Sequence, residues 1–190
     1  MTETQSNALK SIHDKQASVS GDLIQYWWDY SAFDTWQYWL LIVVFFVPLV
    51  VLFIKIDRSR ALHLGFYGLN IHLWSAYFDS FGTRNGFWSY PYQTLPLLPL
   101  QFGLDSSLIP VAFILVYQWT IHKRKNYYLY GISLALIFTF ILKPIMIWSN
   151  FFQFHYGANL FHLLLSYLFV MLLSKLITDL FVKMETTSGT

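Results

Sequence analysis

Long apolar runs separated by short polar connections dominate the chain. A helix crossing a hydrocarbon layer about 30 Å thick needs roughly 20 mostly apolar residues at about 1.5 Å per residue. Residues 36–54 meet this without a charge. Residues 61–81 form a second candidate, interrupted by His63, Asn70, His72 and Asp79. A third, 104–121, opens on Leu104 and Asp105; a fourth, 127–148, contains Lys143; a fifth, 159–182, carries Lys175 and Asp179 near its end. Inside lipid every backbone polar group must be paired, which favours helices, and the alternating ten-residue segments of a barrel are absent. The pattern predicts an all-α membrane protein with five transmembrane helices spanning residues 36–182.

The flanks differ from this core. Residues 1–20 are polar and read as disordered or loosely helical, and 22–35 as an aromatic segment lying at the interface. Residues 183–190 read as a disordered cytoplasmic tail. Residues 1–21 lack the apolar stretch of a cleavable signal, so the first span is expected to stay in the protein.

Loop charges supply an orientation. Lys55, Arg58 and Arg60 fill the first connection, Lys123, Arg124 and Lys125 the third, and Lys183 follows the fifth span. The second connection has only Arg84, the fourth has no Lys or Arg, and Asp22, Asp29 and Asp34 precede the first span. Cationic loops stay cytoplasmic, so the N-terminus is expected outside and the C-terminus inside a plasma membrane. Tyr26, Trp27, Trp28, Tyr30, Trp36, Tyr38 and Trp39 cluster before and within the start of the first span, Trp88, Tyr90 and Tyr92 in the second connection, and Trp148 and Tyr156 about the fourth. An amphipathic ring suits the headgroup level, so these read mainly as interfacial anchors.

Composition narrows the classes further. Of 190 residues, 56% are hydrophobic and 12% charged, against about 25% charged in a soluble domain. A net charge of +2 gives no footprint for nucleic acid, and the expected partner is the lipid bilayer. With no cysteine, disulfides, thiolate metal sites and Cys nucleophiles are excluded.

Two features carry candidate chemistry. Residues 86–105, GFWSYPYQTLPLLPLQFGLD, are too apolar for a free loop and too rich in proline (Pro91, Pro96, Pro99) for a continuous helix. They read as a re-entrant or capping segment between the second and third helices. Pro48, Pro110 and Pro144 mark bends within spans. The second feature is polar. An ionisable side chain inside a span costs about 2.5–3.5 kcal/mol and is a functional candidate by default. The topology brings Asp79, Arg84, Asp105, Lys143, His155, Asn159 and His162 to one outer layer, with His72 near mid-membrane. His72 and Asp79 are seven apart and share a helix face, as do His155 and His162 if the fifth helix extends back that far. Read functionally, this is an outward-facing polar cavity. Read structurally, Lys143 pairs with Asp79 or Asp105 or reaches for the surface, and the histidines are interfacial. Asn70 and Gln118 read as interhelical hydrogen-bond partners, and Lys175 with Asp179 as a local ion pair. No HExxH, GxSxG, phosphate-loop or dinucleotide motif is present, and no cofactor or metal is expected.

Asp79, Gly82, Gly86, Trp88, Tyr90, Pro96 and Pro99, followed by Asp105, Pro110, Tyr117, Gln118 and Pro144, form a pattern that resembles a family of uncharacterised small multi-pass membrane proteins from Bacillus- and Clostridium-type spore formers. The resemblance covers residues 36–182 and implies five helices without implying an activity. The expected role is binding of a small ligand, lipid or partner at the polar layer. The alternatives are a membrane-embedded enzyme acting on a lipid or isoprenoid, with Asp79, Asp105 or His162 as acid or base, and a small transporter whose passage continues past His72.

Overall fold

A computed structural model describes residues 1–98 and 100–188. Pro99 of the proline-rich connection and residues 189–190 of the expected tail lie outside the described residues. Six helices account for most of the chain: α1 (Glu3–Tyr30), α2 (Trp36–Lys55), α3 (Ala61–Arg84), α4 (Leu104–Lys123), α5 (Tyr127–Trp148) and α6 (Leu160–Ser188). Helices α2, α4, α5 and residues Leu160–Glu185 of α6 are long and apolar enough to cross a membrane. Helix α3 has 24 residues, and its polar residues keep it outside that group.

Both flanks are more ordered than their composition suggests. Residues 3–30 form one continuous helix with no buried residue. Thr2 caps it by accepting from the Gln5 amide at 3.3 Å, and Glu3 stands in its first turn, where a negative charge is favourable. The segment contains no proline and one glycine, so little opposes the helix. Its end is tied down: Trp27 Nε1 donates to the Gln93 carbonyl at 2.8 Å, and the Gln93 amide donates to Ser31 Oγ at 2.8 Å. At the other end of the chain, α6 continues through 183–188, where a disordered tail was expected.

Helix α3 is the centre of the bundle and packs mainly against α6 and α4. Its buried residues Leu64, Gly68, Ile71, Ser75, Asp79 and Gly82 follow the three-and-four spacing of one helix face. That face is apolar at one end and polar at the other. Helix α2 is peripheral, with Val43, Phe46, Val47, Val50, Phe53 and Ile54 all exposed. Leu165, Phe169, Leu172 and Leu176 of α6 are exposed as well. Apolar surface on this scale suits lipid rather than water.

Helices α4 and α5 each contain one wide, π-helical turn, at Leu104–Leu108 and Phe138–Leu142. Each turn ends two residues before a proline, Pro110 and Pro144, whose missing N–H and ring disturb the regular ladder. The connection from α3 to α4 folds back on α3 and pairs Trp88–Ser89 (β1) antiparallel with Gln153–Phe154 (β2) from the α5–α6 connection. Gly86 starts it with a φ of +73°, a left-handed conformation that glycine adopts without penalty. Among its described residues the connection contains no spanning element.

Candidate functional site

The polar end of α3 meets α4, α5 and α6 beneath the α3–α4 connection. Asp79, five residues before the α3 terminus at Arg84, is 7% exposed, Asp105 is 4% exposed and Lys143 is 2% exposed. Burial of three ionisable groups is expensive unless each is satisfied. Asp79 is: its Oδ1 accepts from Trp88 Nε1 at 2.8 Å and from Tyr90 OH at 2.7 Å, and its Oδ2 from the Gln101 amide at 2.9 Å. All three donors belong to the α3–α4 connection, so one carboxylate pins that connection to the bundle at residues 88, 90 and 101. The Trp88 ring reaches it only because residue 82 is glycine; a Cβ there would lie 1.8 Å from the indole.

Lys143 neither snorkels to the surface nor makes an ion pair within 4.0 Å among the described residues. Its Nζ donates to Tyr90 OH at 3.3 Å and sits 4.1 Å from the centre of the Phe152 ring and 5.2 Å from that of Tyr90. Tyr90 therefore relays between opposite charges, accepting from the ammonium and donating to Asp79. The ring faces add cation–π attraction in a dry setting. Asp105 lies on the wide turn of α4, and Lys143 directly follows that of α5. Such turns frequently accompany functional positions.

Asp105 is the least satisfied of the three. Its carboxyl group hydrogen-bonds that of Asp79, which requires a proton between the two, and lies near Lys143, while its Oδ2 is buried with no hydrogen-bond partner. Ser75 Oγ is in the same condition. Both residues line a cavity of about 30 Å³ bordered also by Asp79, Tyr90, Lys143 and Tyr167, room for a single ion or water.

The other sequence candidates are distributed around this cluster. His72 Nδ1 lies 2.8 Å from the Asp105 carbonyl oxygen and so braces the start of α4. Arg84 is exposed in the last turn of α3. His155 is exposed and paired with Ser89 Oγ at 2.8 Å. It precedes α6, which starts at Leu160, so it shares no helix face with His162. Asn159 is exposed and its Oδ1 accepts from the Phe161 amide at 3.0 Å and lies 3.1 Å from His162 Nδ1, a local arrangement at the start of α6. The buried cluster thus unites Asp79, Asp105 and Lys143, with His72 beside it.

Trp88 and Tyr90 bring donors that their reading as interfacial anchors does not anticipate. They are 6% exposed each, whereas Trp148 and Tyr156 are 86% and 85% exposed. Ser75, Gln101, Phe152 and Tyr167 carry no sequence signal of their own. Asn70 donates to the Phe66 carbonyl of its own helix at 2.9 Å rather than to a neighbour. Gln118 does bridge, accepting from the Asp57 amide at 2.7 Å and donating to the Lys55 carbonyl at 2.9 Å.

The opposite end of the bundle holds a second polar group. His63 Nε2 lies 2.9 Å from Tyr117 OH, the Tyr67 and Tyr127 hydroxyls are hydrogen-bonded, and Lys175 pairs with Asp179 as their spacing implies. In the adjoining α2–α3 turn, Asp57 accepts from Ser59 Oγ at 2.6 Å and lies 2.9 Å from His122 Nε2. These contacts, the Ser59 bond first, lower its pKa to about 2. Among the described residues, no group of three or more His, Asp or Glu side chains converges on a metal position. No family model, no curated protein and no solved structure matches the chain.

Proposed function

We propose that the chain is a five-helix plasma-membrane protein, N-terminus outside and C-terminus inside, that holds a small ligand at the Asp79–Asp105–Lys143 cluster just beneath the outer face. The alternation of cationic loops supports the orientation. The length of α3, 24 residues, exceeds the roughly 20 needed to span. One observation carries the functional reading: unpartnered buried oxygens of Asp105 and Ser75 face a cavity walled by charged groups. Unpaired buried polar atoms cost about 1–3 kcal/mol each, and a ligand that engages them removes that cost. A cavity of about 30 Å³ favours an ion-sized or water-sized ligand over a lipid headgroup or isoprenoid.

A second reading has its own support. Three hydrogen bonds converge on Asp79 from one connection, so the cluster is also suited to a purely architectural clamp. Thermal unfolding of the purified chain in a panel of small solutes separates the two. Binding predicts that at least one solute among alkali chlorides, ammonium, methylammonium and formamide raises Tm in the wild type but not in Asp105→Asn. An architectural clamp predicts equal responses in both. For orientation, a cysteine at Ser149 in this cysteine-free chain should react with an impermeant thiol reagent from outside; labelling only in inverted vesicles refutes the assignment.

A further inference from the structure

We infer that the cleft between α4 and α5 is a binding site for one anionic diacyl phospholipid, with an acyl chain along the cleft and the phosphate over the α4–α5 turn. The site lies apart from the Asp79 cluster and requires only that α4 and α5 lie in lipid.

The cleft has a volume of about 340 Å³ and runs between Leu115, Val116 and Trp119 of α4 and Tyr130, Leu134 and Ile137 of α5. Ser133 also lines it, but its hydroxyl is spent on the Leu129 carbonyl at 2.9 Å, so that wall suits a hydrocarbon chain. Val116, Trp119 and Lys123 are three and four residues apart in turn, which puts the lysine on the same face as the cleft, one turn further along.

Polar groups gather only at the end of the cleft nearest the turn. The Trp119 and Tyr130 rings meet there edge to face, centroids 4.7 Å apart. Among the described residues, neither the Trp119 indole N–H nor the Tyr130 hydroxyl has a hydrogen-bond partner. About 6 Å further along the helix axis stand Lys123, Arg124 and Lys125, all exposed and none in an ion pair among the described residues. The turn that carries them is held by its backbone: the Arg124 amide donates to the Ile121 carbonyl at 3.3 Å and the Lys125 amide to the Thr120 carbonyl at 2.9 Å. Arg124 has a φ of +51°, a conformation that glycine or asparagine adopts more easily.

Apolar wall, neutral donors and then cations is the order in which a phospholipid presents its acyl chain, ester carbonyls and phosphate. Basic residues beside a pocket between membrane helices are suited to acidic headgroups. The α2–α3 connection has as many cations, Lys55, Arg58 and Arg60, yet there Asp57 lies 4.0 Å from Arg60, and Arg58 is over the Phe53 ring at 5.4 Å. The α4–α5 turn contains no acidic residue. A zwitterionic headgroup would bring a fourth cation to it, whereas an anionic one brings none.

The test uses the full chain reconstituted in phosphatidylcholine vesicles at fixed ionic strength, with phosphatidylglycerol or phosphatidylcholine brominated on an acyl chain as quencher. The Trp119 signal is the fluorescence difference between each protein and the same protein carrying Trp119→Phe. Half-maximal quenching of Trp119 should need a mole fraction of brominated phosphatidylglycerol at least about tenfold lower than of brominated phosphatidylcholine. The triple variant Lys123→Gln, Arg124→Gln, Lys125→Gln should bring the two lipids to the same value. Ser133→Phe fills the cleft and leaves every charge in place, so it should also abolish the preference, and it keeps the test decisive if the triple variant does not insert. Equal quenching by the two lipids in the wild type overturns the inference, as does a preference that survives the triple variant. A preference undiminished by Ser133→Phe shows diffuse attraction to the turn without a seated chain and overturns the site.

Discussion

Replacing Tyr90 by Phe removes a single oxygen from the centre of the buried cluster and leaves nearly everything else in place. The ring keeps its edge contact with Phe152, centroids 5.3 Å apart, and its volume. Two hydrogen bonds go, the 2.7 Å bond to Asp79 and the 3.3 Å bond from Lys143. Bonds to charged partners contribute about 1.5–3 kcal/mol each. The longer one belongs at the weak end, so the expected loss is about 2–4 kcal/mol. For a chain of this size that is a fall in Tm of roughly 5–15 °C. The sharper measurement is a double-mutant cycle with Lys143→Met, which removes the ammonium that needs the Tyr90 oxygen. With Lys143 absent, Tyr90→Phe should cost at least about 1 kcal/mol less than in the wild type. Unfolding of all four proteins, followed by tryptophan fluorescence in one detergent, provides the cycle. A Tyr90→Phe variant within about 0.5 kcal/mol of wild type, or an additive cycle, refutes the relay from Lys143 through Tyr90 to Asp79.

Two further outcomes test the surroundings. Gly82→Ala should destabilise by about 1–3 kcal/mol despite alanine's better helix propensity, because its Cβ would meet the Trp88 indole at 1.8 Å; a red-shifted tryptophan emission should accompany the lower Tm. In the α2–α3 turn, Asp57 has its pKa lowered to about 2 in the fold from an ordinary 3.8. A lowered carboxyl pKa stabilises the fold above the unfolded value and loses that contribution as pH falls through the folded one. The stability difference between wild type and Asp57→Asn should therefore be flat above about pH 5 and shrink progressively from pH 4 towards 2; a difference unchanged over that window contradicts the assignment.

Helix positions were legible because lipid imposes a length and a polarity that composition alone reports. The run 36–54 becomes Trp36–Lys55, 61–81 becomes Ala61–Arg84, 104–121 becomes Leu104–Lys123, and 127–148 is Tyr127–Trp148. Asp79, Asp105 and Lys143 stood out for the same reason, since charges inside apolar segments turn away from lipid. The satisfaction of those charges was not legible. An indole N–H or phenol O–H is equally well met by a headgroup or by a buried carboxylate, and sequence spacing does not decide which. The glycine at 82 was the available hint, since a missing side chain beneath an aromatic residue marks a close approach. Helix α1 was legible only as a loose helix or a disordered start, because its polar composition carries little apolar periodicity, while its cap and freedom from proline act locally.

The order in which Asp79 acquires its partners bears on how α3 would enter a membrane under the proposed five-helix topology. The carboxylate emerges from the ribosome before any of its three donors, which follow at 9, 11 and 22 residues downstream. Helix α3 alone would carry a bare charge into lipid at a cost of about 2.5–3.5 kcal/mol. Once residue 101 has been made, the nascent chain holds within itself every group needed to cover that charge. If α3 is the fifth span, as proposed, its insertion would be conditional on what is translated next, with the connection covering the charge of the helix that precedes it.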